Sequence, residues 1–213
     1  MKGLLIKDFL IMRNQISSIL LIIGIGTMMS LYMESSAVVA YLMMLGAMMA
    51  LSTMAYDEHE NGYRYMFTLP TTRKEYVMEK YLFCAIWIAC AMALGSIGSY
   101  LIMVFKKQID MSEILAAMIV MLGTISLLVS VTIPARLKYG SEKSKIIIYI
   151  FFGIVAGIGL FLAKFISKET ASMIENFVNS NSTIISVIMI LATILMIVIS
   201  YLISVRIMQK KEF

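Results

Sequence analysis

Charge is scarce in this chain of 213 residues. Asp, Glu, Lys and Arg make up 15% of it and hydrophobic residues 61%, where soluble domains average about 25% and about 45–50%. That excludes an ordinary soluble domain and makes the chain an integral membrane protein. Histidine and cysteine are almost missing too. His59 stands alone, with no metal-ligand spacing around it. Cys84 and Cys90 are six apart, which is about 600° of helical rotation, so they face different ways and can neither bridge nor share a metal. Packing is the expected role of both. No His–Glu–x–x–His sequence and no Ser–His pairing is available for hydrolysis, and "GSEKSK" at 140–145 lacks the spacing of a phosphate-binding loop. These absences exclude a membrane hydrolase and a nucleotide site, so no cofactor and no enzymatic activity is expected in the chain itself. No small-residue cleavage site follows the first apolar run, so no cleavable signal peptide is expected. The net charge of +5 does not suggest a nucleic-acid partner.

What is abundant is uninterrupted apolar sequence. Six runs, 16–33, 37–56, 81–105, 114–135, 146–163 and 184–205, contain no Asp, Glu, Lys or Arg. They are 18 to 25 residues long, and about 20 residues span a bilayer. Helices apolar all round are buried or membrane-spanning. The expected fold is therefore all-α, one domain with six transmembrane helices. Lys and Arg in the connections set orientation. With the N-terminus inside, fourteen basic residues lie on the cytoplasmic side and four, Lys106, Lys107, Lys164 and Lys168, outside. Both termini are thus expected in the cytoplasm. The outer segment 164–183 has partial helical spacing at Ile166, Met173 and Phe177, and reads as short interfacial helices or as a polar loop.

Intramembrane ionisable residues mark ion paths and proton relays, and the six runs hold none. A chain with neither an ion path nor catalytic groups is a channel, a structural or immunity-type membrane protein, or one half of a machine powered by another subunit. The last of these requires a cytoplasmic docking surface, and the segment 57–80 is the candidate. It mixes acids and bases with Tyr63, Tyr65, Met66, Phe67 and Leu69. Tyr63 and Phe67 are four apart, so on a helix they form one apolar face with Met66 beside it. Pro70 stops that helix, because the residue before proline is pushed out of the α region. Thr72-Arg-Lys-Glu75 is a capping-box pattern that starts the next helix. Aromatics with Arg suit an interface hot spot and equally an anchor at headgroup level; the residues alone leave both open.

The stretch from Glu58 to Tyr81 resembles the signature of small ABC-2 type permeases: an acid, Glu58 or Glu60, then Gly62, Leu69-Pro70, Arg73, Tyr76-Val77 and Lys80-Tyr81. The opening "KGLLIKDFLIMRNQ" is similar to the family's first helix, and the six-span plan matches along the whole chain. The subgroup that it most resembles is the permeases of phenol-soluble modulin and bacteriocin or other peptide exporters. The resemblance implies the type V exporter architecture in a bacterial plasma membrane. It also implies a second permease chain, homo- or heterodimeric, two copies of a separate ABC ATPase that carry the ATP and Mg, and a hydrophobic or amphipathic peptide as cargo. Carried over, residues 1–15 are an elbow helix at the interface. The ATPase-docking residues are Glu58, Glu60, Gly62, Tyr63, Arg64, Met66, Phe67, Leu69, Pro70 and Arg73, joined by Arg136 and Lys138 from a second cytoplasmic loop, 136–145. The alternative from another class is a membrane immunity or sensor protein that binds toxic peptides without transporting them.

Two further features stand beside this reading. Methionine is abundant, at 21 residues, which suits bundle packing or a flexible path for apolar cargo. Gly153-x-x-x-Gly157 in the fifth run permits close helix approach, as a contact between permease chains or inside one.

Overall fold

The chain is described here by a computed structural model covering residues 2–32, 35–58, 63, 71–106, 111–165 and 180–211. Among the described residues the six elements are all α-helices: α1 (Lys2–Asn14), α2 (Ile16–Tyr32), α3 (Ser35–Glu58), α4 (Arg73–Lys106), α5 (Met111–Phe165) and α6 (Ser182–Lys210). Helices α1 and α2 meet at Gln15 with a bend of 61°. α3 lies against α4 and α5, and α6 packs on α5 and α4.

Small residues set how close α3 and α4 come. A Cβ on Gly46 would sit 2.7 Å from the Cβ of Ala91, and one on Gly95 would sit 3.0 Å from the backbone of Val39. Any larger side chain at either place would push the two helices apart. Gly153 and Gly157, by contrast, have nothing within 4 Å of a would-be Cβ. Among the described residues, no other helix makes a close approach at either glycine.

α4 begins as its sequence predicts. The Thr72 amide donates to Glu75 Oε2 at 2.9 Å, and the Glu75 amide donates to Thr72 Oγ1 at 3.2 Å, a reciprocal capping box. The next residue reaches across the molecule: Arg73 Nη1 donates to the carbonyls of Met208 and Gln209 at 3.3 and 2.6 Å. Those carbonyls close α6, where a cation is favoured and intrahelical donors run out.

α5 departs from the six-run pattern. The fourth and fifth apolar runs fall in one element of 55 residues, and the ten residues 136–145, expected as a loop, are helical except for Gly140 at φ 82°, ψ 169°. The left-handed φ favours glycine, so one residue makes the break. Four helices among the described residues are long and apolar enough to cross a membrane, or five if α1 and α2 form one bent span. The expected count of six is not reached by length and composition, because α5 is one element and α2 has 17 residues.

Pro134 lies inside α5. It has no N–H, so the Ser130 carbonyl one turn back loses its helical donor. Ser200 Oγ on α6 donates to that carbonyl at 2.7 Å. With the Ser200 proton so committed, Tyr81 Oη on α4 donates to Ser200 Oγ at 2.5 Å and accepts from Ser204 Oγ at 3.0 Å. A gap in one helix thus ties three together.

Candidate functional site

The polar residues that the chain does have converge at one end of the bundle. Asp8 sits in the apolar sequence "LLIKDFLIM" of α1 and is fully buried. Its Oδ2 is 2.5 Å from Lys80 Nζ on α4. The same ammonium is 2.7 Å from Asp57 Oδ2 at the end of α3. Lys7, half-buried, bonds Asp57 Oδ1 and stands 3.3 Å from Asp8 Oδ1. Thr53 Oγ1 donates to Asp8 Oδ2 at 3.2 Å, and Tyr76 Oη donates to Asp57 Oδ2 at 3.0 Å. Phe9 and Phe83 pack edge to face beside the cluster, ring centres 5.3 Å apart. One buried lysine therefore joins α1, α3 and α4. Ions taken out of water this far are tolerable only when paired and hydrogen-bonded.

A second cluster adjoins it. Glu58 closes α3 and sends its carboxylate to α5, where Oε2 accepts the Ser141 amide at 2.5 Å. A carboxylate at the start of a helical segment satisfies a free amide and faces the positive end of the dipole. A Cβ on Gly140 would lie 3.4 Å from that same oxygen. Tyr63 Oη donates to Glu58 Oε1 at 3.4 Å, and its ring meets Tyr76 edge to face at 5.7 Å. Burial pushes the Tyr63 phenol up, the bond from Tyr76 draws it back, and the Glu58 and Asp57 charges raise it again; it stays protonated and donating at neutral pH. Lys211 Nζ lies over the Tyr63 ring at 4.9 Å and donates to the Leu137 carbonyl at 3.0 Å.

Several of the expected docking residues make contacts inside the chain. Tyr63, expected on an outward apolar face, is buried, because its ring completes the core with Tyr76 and its hydroxyl finds Glu58. Glu58 holds the break in α5. Arg73 caps α6, and Arg136 donates to the Leu51 carbonyl of α3. Lys138 is exposed, its ammonium 5.0 Å from the Tyr139 ring centre. Glu60, Gly62, Arg64, Met66, Phe67, Leu69 and Pro70 lie outside the described residues. Sequence reasoning gave Asp8, Asp57 and Glu79 no site role and read Lys80 only as part of the family signature. The signal that could have found them is a lone acid in the apolar N-terminal helix and a Glu-Lys pair at the mouth of the third apolar run.

No group of His, Cys, Asp and Glu among the described residues has an arrangement that could hold a metal ion. The two cysteines are free; Cys84 is buried and Cys90 exposed, as their spacing predicts. What the site offers is mechanical: ion pairs that fasten the N-terminal helix and the segment 57–80 to the roots of three long helices.

The family model for ABC-2 family transporter protein matches residues 3–209. The chain belongs to the ABC-2 transporter family. It is a multi-pass membrane protein of the permease type, the transport component of such systems and not their catalytic part, and the family in general works with an ABC ATPase. No curated protein and no solved structure matches this permease. The match takes in both halves of the ionic cluster, from Lys7 and Asp8 to Asp57 and Lys80.

Proposed function

We propose that this ABC-2 permease works as the membrane subunit of a bacterial ATP-driven exporter, in the plasma membrane, paired with a second permease chain and two copies of a separate ABC ATPase. The observation that carries the reading is the family match over almost the whole chain. Six spans with both termini in the cytoplasm remain the best account of its topology. A continuous 55-residue helix would be about 80 Å long, far beyond the roughly 30 Å of a hydrocarbon core. α5 therefore serves as two spans that meet at Gly140, and α2 completes the six. This puts Glu58, Tyr63, Arg73, Arg136 and Lys138 on the cytoplasmic side with the ionic cluster behind them.

In this reading the segment 57–80 is the coupling segment. Its ends are Asp57 and Lys80, which are 2.7 Å apart across the buried ion pair. A push on the segment by a closing ATPase passes into α3 and α4 together, because their roots cannot separate without unpairing a buried charge. Glu58 carries the same displacement to α5 through Ser141. The cargo proposed is a hydrophobic or amphipathic peptide of the phenol-soluble modulin or bacteriocin kind, and the exposed methionines Met28, Met44 and Met48 suit varied apolar cargo. The buried methionines, Met43 and Met54 among them, serve core packing.

The test is affinity purification of the tagged chain from its native host. A stoichiometric ATPase with a phosphate-binding loop is the expected companion; its absence overturns the reading. Lys138→Glu, at an exposed site of the proposed contact, is expected to lower ATPase recovery at least several-fold and leave the melting temperature of the permease unchanged.

A further inference from the structure

Glu79 belongs to the ionic cluster and takes no part in the scheme above. Its side chain is fully buried, and neither of its oxygens accepts a hydrogen bond among the described residues. The ammonium within reach, Lys80 Nζ at 3.7 Å, is already held by Asp8 and Asp57 at 2.5 and 2.7 Å. Asp8 Oδ1 is orphaned in the same way, for Lys7 Nζ stands 3.3 Å off without making a hydrogen bond to it. The charged groups facing Glu79 are Lys7 and Asp8 from α1 and Lys80 from α4. Asp57 of α3 shares Lys80 with it. Cys84, further along α4, faces it as well, with Arg136 of α5 beyond.

The charges do not balance. Among the described residues, two ammonium groups, Lys7 and Lys80, face three carboxylates, Asp8, Asp57 and Glu79. One surplus negative charge sealed from water is strongly unfavourable. Two carboxyl groups that share a site resolve the conflict by keeping one proton between them. Asp8 and Asp57 each have an ammonium at hydrogen-bond distance and a hydroxyl donor; Glu79 has only the 3.7 Å approach of Lys80 and no hydroxyl donor among the described residues, so the proton belongs on Glu79. A neutral carboxyl group supplies an O–H donor, which is what Asp8 Oδ1 lacks.

We propose that Glu79 is a proton-binding site, protonated at neutral pH and donating to Asp8, so that a carboxyl–carboxylate hydrogen bond fastens α1 to α4. The inference does not depend on the transport reading. Losing the proton would set two like charges against each other across the α1–α4 seam and loosen the N-terminal helix, while the Lys80–Asp57 link between α3 and α4 stays in place.

Infrared spectroscopy of the full-length chain in detergent at neutral pH tests this without a mutation. A protonated-carboxyl C=O band is expected that shifts when glutamate is 13C-labelled and stays put when aspartate is. No such band, or one that follows aspartate, overturns the proposal. Glu79→Gln keeps a neutral, donating side chain, so it should melt at the wild-type temperature and lose the band. Asp8→Asn removes a paired charge and should melt well below wild type. A Glu79→Gln chain that melts as low as Asp8→Asn, or fails to fold, shows that Glu79 is ionised in the native state and also overturns the proposal.

Discussion

Lys80 is the residue on which the most structure depends. It is almost completely buried, and it joins Asp8, 72 positions earlier, to Asp57. Lys80→Met fills a similar volume and leaves both carboxylates without their shared cation. Removing one partner of a buried pair costs about 3–5 kcal/mol, so this variant should show a large drop in melting temperature, measured by thermal unfolding in detergent. Ser200→Ala is a smaller change with a defined cause. It strands the Ser130 carbonyl that Pro134 already leaves without a helical donor, at about 1–3 kcal/mol for an unsatisfied buried acceptor. The same melting experiment checks it, and Ser200→Thr, which keeps the hydroxyl, should retain most of the stability.

At the scale of elements, Gly140 separates what the sequence made legible from what it did not. The apolar runs, the capping box at Thr72–Glu75 and the opposite facing of Cys84 and Cys90 were readable because each depends on neighbours along the chain. The break in α5 was not. Polar residues at 136–145 read as a loop, yet a Glu58 carboxylate from another helix satisfies the freed Ser141 amide and lets helix resume after one residue. Likewise, nothing local says that Tyr63 turns inward; its partners Glu58 and Tyr76 meet it only once α3 and α4 are packed. Gly140→Ala should therefore act locally. Alanine held at this positive φ and extended ψ costs about 1–3 kcal/mol, and its methyl would press on Glu58 Oε2 at 3.4 Å. Hydrogen–deuterium exchange is expected to quicken in the first turn after residue 140 and stay unchanged in α6.

For the whole molecule, the proposed topology makes opposite demands on the two ends of α6. In a background with Cys84 and Cys90 replaced, a cysteine at Ser180 should react with a membrane-impermeant maleimide in intact cells. A cysteine at Lys210 should react only after permeabilisation. Reaction of both from the same side would remove the six-span arrangement and the cytoplasmic placement of the ionic cluster together.

The part of α5 beyond Gly140 has a consequence of its own. Residues such as Tyr149, Leu160 and Phe165 are exposed on it, so the other described residues do little to hold its far end. It is a lever of roughly 37 Å, at 1.5 Å per residue, pivoted at one glycine and latched near the pivot by Glu58. A swing of about 10° at Gly140 would carry Phe165 through roughly 6 Å on that length. A carboxylate shift too small to register in the packing of α3 would thus arrive at the opposite end of the lever as a displacement wider than a methionine side chain.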